Sequence, residues 1–107
     1  MTAYVISEVE VLDEDLANMY RTLAAASITE YGGRYLVRGA KPEVVEGVAT
    51  TRRMVIVEFP SQECAHEWYA SPEYAEALKI RATALERRLI IVEGIAPSAP
   101  CPTRDAE

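Results

Sequence analysis

The chain has 107 residues, 50% of them apolar and 26% charged, enough for one hydrophobic core and too few for two. Its net charge of −6 supplies no basic stripe for tracking phosphates, so nucleic-acid binding is not expected. The composition is that of an ordinary globular domain and not of a disordered or collagenous one.

The N-terminus, MTAYVISEVEV, enters a strand pattern at once, with no basic leader and no apolar h-region. No run approaches the length of a membrane span, so no membrane partner is expected and the cytoplasm is the expected compartment. Ala3 to Val11 reads as the first strand. The acidic Asp13-Glu14-Asp15 then opens a helix, with Asp13 as N-cap and the acids at the positive end of the dipole. Leu16, Met19, Tyr20 and Leu23 follow at i, i+3, i+4 and i+7, one apolar stripe.

The stretch EYGGRYLVRG ends that helix, one of its glycines supplying a left-handed residue, and starts a second strand, RYLVRG. Thirteen residues, AKPEVVEGVATTR, lead to a third strand, MVIVEF; this connection is long for a hairpin and is a candidate lid or pocket wall. Pro60 stops the third strand. Ser61 and then Ser71-Pro72 start two helical pieces, a broken layer expected to end near Arg87. RLIIVEG is the last strand. The domain is thus expected over residues 1–95, followed by a proline-bearing, mostly disordered tail over 96–107.

The order β, α, β, β, α, β is the ferredoxin-like split βαβ plan, an α+β fold with helices on one face of a four-stranded antiparallel sheet in the order 4-1-3-2. Splitting the strands by parity gives an inner face of Val5, Ser7, Val9, Tyr35, Val37, Val55, Val57, Phe59, Ile90 and Val92. The other face carries Tyr4, Ile6, Glu8, Arg34, Leu36, Arg38, Met54, Ile56, Glu58, Leu89, Ile91 and Glu93. Half of that second set is large and apolar, more than a monomer leaves wet, so a second copy of the chain is the expected partner.

Charged residues on a covered face need partners or change their protonation. Reading strands 1 and 3 as parallel neighbours puts Glu8 and Glu58 near one end of the sheet with Arg34, and Arg38 and Glu93 at the other. They are expected either as intersubunit ion pairs or, for Glu8, Glu58 and Arg38, as pocket residues that accept a proton or hold an anion.

Arg81 interrupts the apolar stripe Tyr74, Ala77, Leu78, Ala82 and Leu85, and either snorkels outward or reaches a buried acceptor. Trp68 and Tyr69 are core aromatics with a polar handle that a ligand can use. His66, the single histidine, is expected to face solvent. Cys64 and Cys101 have neither CxxC spacing nor a histidine at ligand spacing; two unpaired thiols are expected, and no metal or other cofactor.

Taken together, EYGGRYLVRG, VVEG, VIVEFPS, WYASPEYAEALKIR and IIVEG resemble the uncharacterised bacterial family called domain of unknown function thirteen-thirty, over about Ala3 to Gly94. That family is similar to the dimeric α/β-barrel group, whose subunits pair through their sheets. The resemblance implies importance for the Tyr31-Gly32-Gly33 turn, Arg38, Glu46-Gly47, Phe59-Pro60-Ser61, Trp68, Ser71, Tyr74 and Arg81. It supplies no reaction, since the wider fold group holds cofactor-free monooxygenases, lactone isomerases and haem enzymes.

Three functions are therefore open. The first is a homodimeric small-molecule binder whose pocket is lined by Tyr31, Arg38, Trp68, Tyr74 and Arg81 and takes an anionic or carbonyl ligand. The second is a cofactor-independent monooxygenase or isomerase with Glu8 or Glu58 as proton acceptor. The third is an assembly module without a ligand.

Overall fold

A computed structural model describes residues 1–102. Its elements are β1 (Ala3–Val11), α1 (Glu14–Glu30), β2 (Arg34–Ala40), β3 (Arg53–Phe59), α2 (Gln62–Tyr69), α3 (Pro72–Ala84) and β4 (Leu85–Glu93). Each helix starts where a short polar side chain satisfies a backbone N–H that the first turn leaves over. Asp13 accepts from Leu16 N at 3.0 Å, Ser61 from Cys64 N at 3.1 Å and Ser71 from Tyr74 N at 3.0 Å.

The two glycines after α1 have different tasks. Gly32 takes φ 79, the left-handed residue that ends the helix, and its N–H reaches Thr29 O at 3.1 Å. Gly33 is there for close approach: a Cβ on it would meet Ile28 Cγ2 at 2.7 Å and Phe59 Cε1 at 2.8 Å. The two glycines of EYGGRYLVRG are thus a helix stop and a packing contact.

The sheet order is β2-β3-β1-β4 and every neighbouring pair is antiparallel. The expected parallel pairing of the first and third strands is therefore corrected. The crossover through α1 returns β2 parallel to β1, and β3 hairpins back between them, antiparallel to both. Glu58 consequently lies opposite Tyr4 and Arg34, whereas Glu8 lies opposite Met54 and Arg88. The two carboxylates sit at opposite ends of the sheet. Glu93, opposite Ala3, is at the Glu58 end, and Arg38, opposite Val55, lies toward the other.

Inner-face parity holds for β1 and β3, where Ala3, Val5, Val57 and Phe59 are buried beneath the helices. In β4 it is reversed. Val5 pairs with Ile91, Ser7 with Leu89 and Val9 with Arg87, so Leu89 and Ile91 face the helices and Ile90 and Val92 face outward. The strand also starts three residues earlier than RLIIVEG, at Leu85, directly from the end of α3. Ala84 O closes this junction by accepting from Leu12 N at 2.9 Å and Asp13 N at 3.1 Å.

Tyr74 and Phe59 are among the largest fully buried side chains, and Trp68 packs between them with ring centroids 4.2 and 5.3 Å away. The Trp68 indole N–H donates to Ser27 Oγ at 3.0 Å, which in turn donates to Ala24 O at 2.8 Å. A buried polar pair is thereby satisfied inside the aromatic core.

The outer face carries an unbroken apolar row across all four strands, Val37, Ile56, Ile6 and Ile90, joined by cross-strand pairing. Ion pairs flank it, Arg34 to Glu58 at 2.7 Å and Arg88 to Glu8 at 3.5 Å.

The two cysteines are not free. Cys64 and Cys101 form a disulfide with Cα atoms 5.3 Å apart across 37 positions, a pairing that spacing alone does not reveal because it depends on where the tail returns. The segment after β4 runs back over the domain: Thr2 N donates to Ala96 O at 2.8 Å and Ala99 N to Pro60 O at 3.1 Å. The rest of the expected tail, 103–107, lies outside the described residues.

Candidate functional site

Between the sheet and α1 lies a cavity of about 230 Å³. It exists because α1 leans on α3 more than on the sheet, and because the strand residues beneath it are short: Val5, Ser7, Val9, Val55 and Val57. Trp68 and Ile28 close it on the helix side, and Arg21, Arg38 and Gly39 stand at its wall.

Arg38 reaches the cavity through irregularity in β2. Register shifts between Tyr35 and Val37 and between Arg38 and Ala40 each insert one extra residue, the second accommodated by Gly39 at φ 84. Strict alternation puts Arg38 on the outer face; the first bulge turns it inward beside Tyr35. Its guanidinium carbon sits 4.4 Å above the Tyr35 ring centre, a cation–π contact. Burial raises the Tyr35 phenol above its ordinary pKa, and the neighbouring Arg38 charge opposes that rise.

At the far wall, Arg87 joins two phenols. It donates from Nη1 to Tyr20 Oη and from Nη2 to Tyr74 Oη, both at 2.5 Å, and the two phenol oxygens are themselves 2.5 Å apart. Burial is the main force pushing the Tyr20 pKa far above its usual value, with the adjacent Tyr74 adding to it, so Tyr20 stays protonated through neutral pH. Burial disfavours the Arg87 charge, yet the phenol oxygens more than offset this and its pKa is raised.

Counting protons in this cluster identifies a donor. Arg87 can only donate, so the two phenols have one bond between them and one proton left over. If Tyr20 donated to Tyr74, the leftover proton would belong to Tyr74, which is completely buried and has no further acceptor among the described residues. A buried orphan donor costs about 1–3 kcal/mol. The satisfied arrangement has Tyr74 donating to Tyr20, and Tyr20, which lines the cavity, turning its O–H into it. Arg38 and Arg87 also line the wall, together with Arg21, whose guanidinium is turned to Asn18 and Glu14, and no carboxylate does, in a chain whose net charge is −6.

The residues singled out from sequence separate into groups. Arg38 and Trp68 line the cavity, and Tyr74 backs it through Tyr20. Tyr31 lies elsewhere, its phenol donating to Glu73 Oε1 at 3.0 Å. Arg81 lines a separate groove with His66. Glu8 and Glu58 stand on the outer face, paired with arginines. Sequence pattern marks neither Tyr20 nor Arg87 for chemistry; the signal for Arg87 is its place in the alternation Leu85, Arg87, Leu89, hidden by a segment that also reads as helix. Among the described residues no group of His, Cys, Asp or Glu is arranged to hold a metal ion.

The chain belongs to the family described as Domain of unknown function (DUF1330), whose model matches residues 2–95. Its fold is shared with a protein of unknown function from Rhodopseudomonas palustris, at TM-score 0.74 and 20% identity over 90% of this chain and 84% of that one. The cofactor-independent oxygenase SnoaB of Streptomyces nogalater is similar at TM-score 0.63 and 9% identity, covering 89% of this chain and 94% of that one. A dimeric ferredoxin-like protein of unknown function from Thermobifida fusca is similar at TM-score 0.57 and 14% identity, with 87% and 91% covered. No curated protein matches. Among the described residues no helix is long and apolar enough to cross a membrane.

Proposed function

We propose that the chain is a homodimeric binding protein for a small, largely apolar molecule bearing a carboxylate or carbonyl oxygen, held in the cavity between sheet and helices. The observation that carries this reading is the Tyr20 hydroxyl held by Tyr74 and Arg87 at an apolar wall, whose proton the donor count leaves without a protein acceptor. Arg38 supplies the second charge-assisted contact. At about 230 Å³ the space is below the ~300–1,000 Å³ of drug-sized pockets, which limits the occupant to a compact molecule such as a single-ring acid.

Thermal-shift screening of small aryl acids and ketones against the wild type, Tyr20→Phe and Arg38→Ala tests it. A ligand at a hundred times its Kd should stabilise the wild type by about 2.7 kcal/mol, and each variant should show a smaller shift. Stabilisation by no compound, or equal stabilisation of all three proteins, removes the cavity as a binding site.

The dimer belongs to the same reading. The row Val37, Ile56, Ile6 and Ile90, flanked by charged pairs, suits a twofold sheet-to-sheet contact, and one of the structural relatives is described as dimeric. Ile56→Glu is expected to halve the mass measured by light scattering while leaving the fold intact, because Ile56 points away from the core. A wild type that is already monomeric at high concentration refutes the pairing.

A second reading is favoured by the same cluster. A phenol donor backed by a guanidinium stabilises an oxyanion, including the enolate of an activated aryl methylene ketone. With molecular oxygen as the oxidant, such a CH2 becomes C=O and one water leaves, the electrons coming from the substrate. Among the structural relatives, SnoaB is described as a cofactor-independent oxygenase. Oxygen uptake dependent on such a ketone and lost in Tyr20→Phe decides for it; binding without uptake decides against it.

A further inference from the structure

On the other side of Arg87 an open groove of about 540 Å³ lies between α2, α3 and β4. Leu89 and Ile91 form its floor, and Tyr69, 44% exposed, is an aromatic wall. His66, Arg81 and Arg87 line it with nitrogen groups from three different elements. No carboxylate lines it, and Arg81 has no acidic partner among the described residues. In a chain with 17 acidic and 11 basic side chains, the groove thus brings two arginines together beside apolar surface.

We propose that this groove is a second binding site, for a small aromatic carboxylate. The guanidiniums of Arg81 and Arg87 take the carboxylate, and Tyr69 with Leu89 and Ile91 take the ring. Arg87 is already oriented by the two phenols, so it loses little freedom when an anion arrives. This also accounts for Arg81 within an apolar helical stripe: its stem covers the helix surface while its head stands over the groove. The size falls within the ~300–1,000 Å³ of known ligand sites. The assignment does not rest on the cavity having a ligand.

The test is a titration of full-length protein with sodium benzoate, followed by backbone amide and arginine Nε–H resonances. Benzoate is expected to move Arg81, His66, Tyr69 and Ile91 signals along a saturating curve. Arg81→Gln should weaken that curve at least tenfold while leaving the signals of Arg38 and Gly39, in the cavity, responding as in the wild type. Sodium sulfate and benzyl alcohol, which carry the charge or the ring alone, should each bind at least tenfold more weakly. Groove signals that do not move, that move equally with sulfate, or that ignore Arg81→Gln overturn the proposal. Movement of the cavity signals alone would support the function proposed above and refute this one, so the two stand or fall separately.

Discussion

Arg87→Met is expected to weaken binding of any acid held in the cavity by about 2 kcal/mol or more, roughly thirtyfold in Kd. Methionine keeps much of the side chain's length and apolar stem, but the two phenols then lose their shared donor. Tyr20 is no longer polarised, and the cavity loses a positive charge. A stability loss of about 1–3 kcal/mol should accompany this, since buried phenol oxygens are left with one bond between them. Arg87→Lys separates the effects: an ammonium restores charge but does not present the planar fork that reaches both oxygens, so stability should recover more than affinity. Calorimetric titration with the best acid from the screen, together with urea denaturation, reads both quantities. Undiminished affinity in Arg87→Met would place the guanidinium outside the binding machinery.

Reduction of the Cys64–Cys101 bridge is the second large effect. It closes a loop across 37 positions that contains α3, β4 and most of α2, and the chain-entropy account assigns such a loop about 4 kcal/mol. Urea midpoints measured with and without dithiothreitol, and for Cys101→Ser, should fall together by a large fraction of the total stability of so small a domain. Identical midpoints would mean that the bridge is not formed in solution or constrains nothing. Because cytosolic thiols are generally kept reduced, the same comparison shows how far the domain depends on an oxidising setting. Amide exchange should rise first at residues contacting the returning segment: Pro102 packs on Gly32, and Ala99 is bonded to Pro60.

The architecture was readable because its signals are local. Asp13, Ser61 and Ser71-Pro72 mark helix starts by chemistry that acts within one turn. Alternation in AYVISEVEV and MVIVEF assigns faces because polar residues interrupt the apolar ones. In LIIV nothing interrupts, so either parity fits, and the strand register needed β1 to settle it. That ambiguity concealed Arg87 together with the inward face of β4.

The candidate site was legible in pieces. Trp68, Tyr74 and Arg38 were recognised as residues of interest, but their assembly depends on events that pattern does not encode. The first bulge in β2 rotates Arg38 inward, and a crossover decides which ends of β1 and β3 meet. Tyr20 looked like ordinary core because an apolar stripe accounts for it fully; only its partners 54 and 67 positions away make it a hydrogen-bond donor. The disulfide was illegible for the same reason, its two sulfurs being brought together by a segment with no periodicity of its own.

The passage from α3 into β4 without an intervening turn makes chain length itself a part of this chemistry. Tyr74 near the start of the helix and Arg87 in the strand are connected by an uninterrupted run of regular backbone, clamped midway at Ala84. One residue added at that seam would carry Arg87 to the opposite side of the sheet and bring Glu86 beneath the phenols, and one removed would bring Arg88 there instead. The spacing between these two positions should therefore tolerate substitution far better than insertion or deletion.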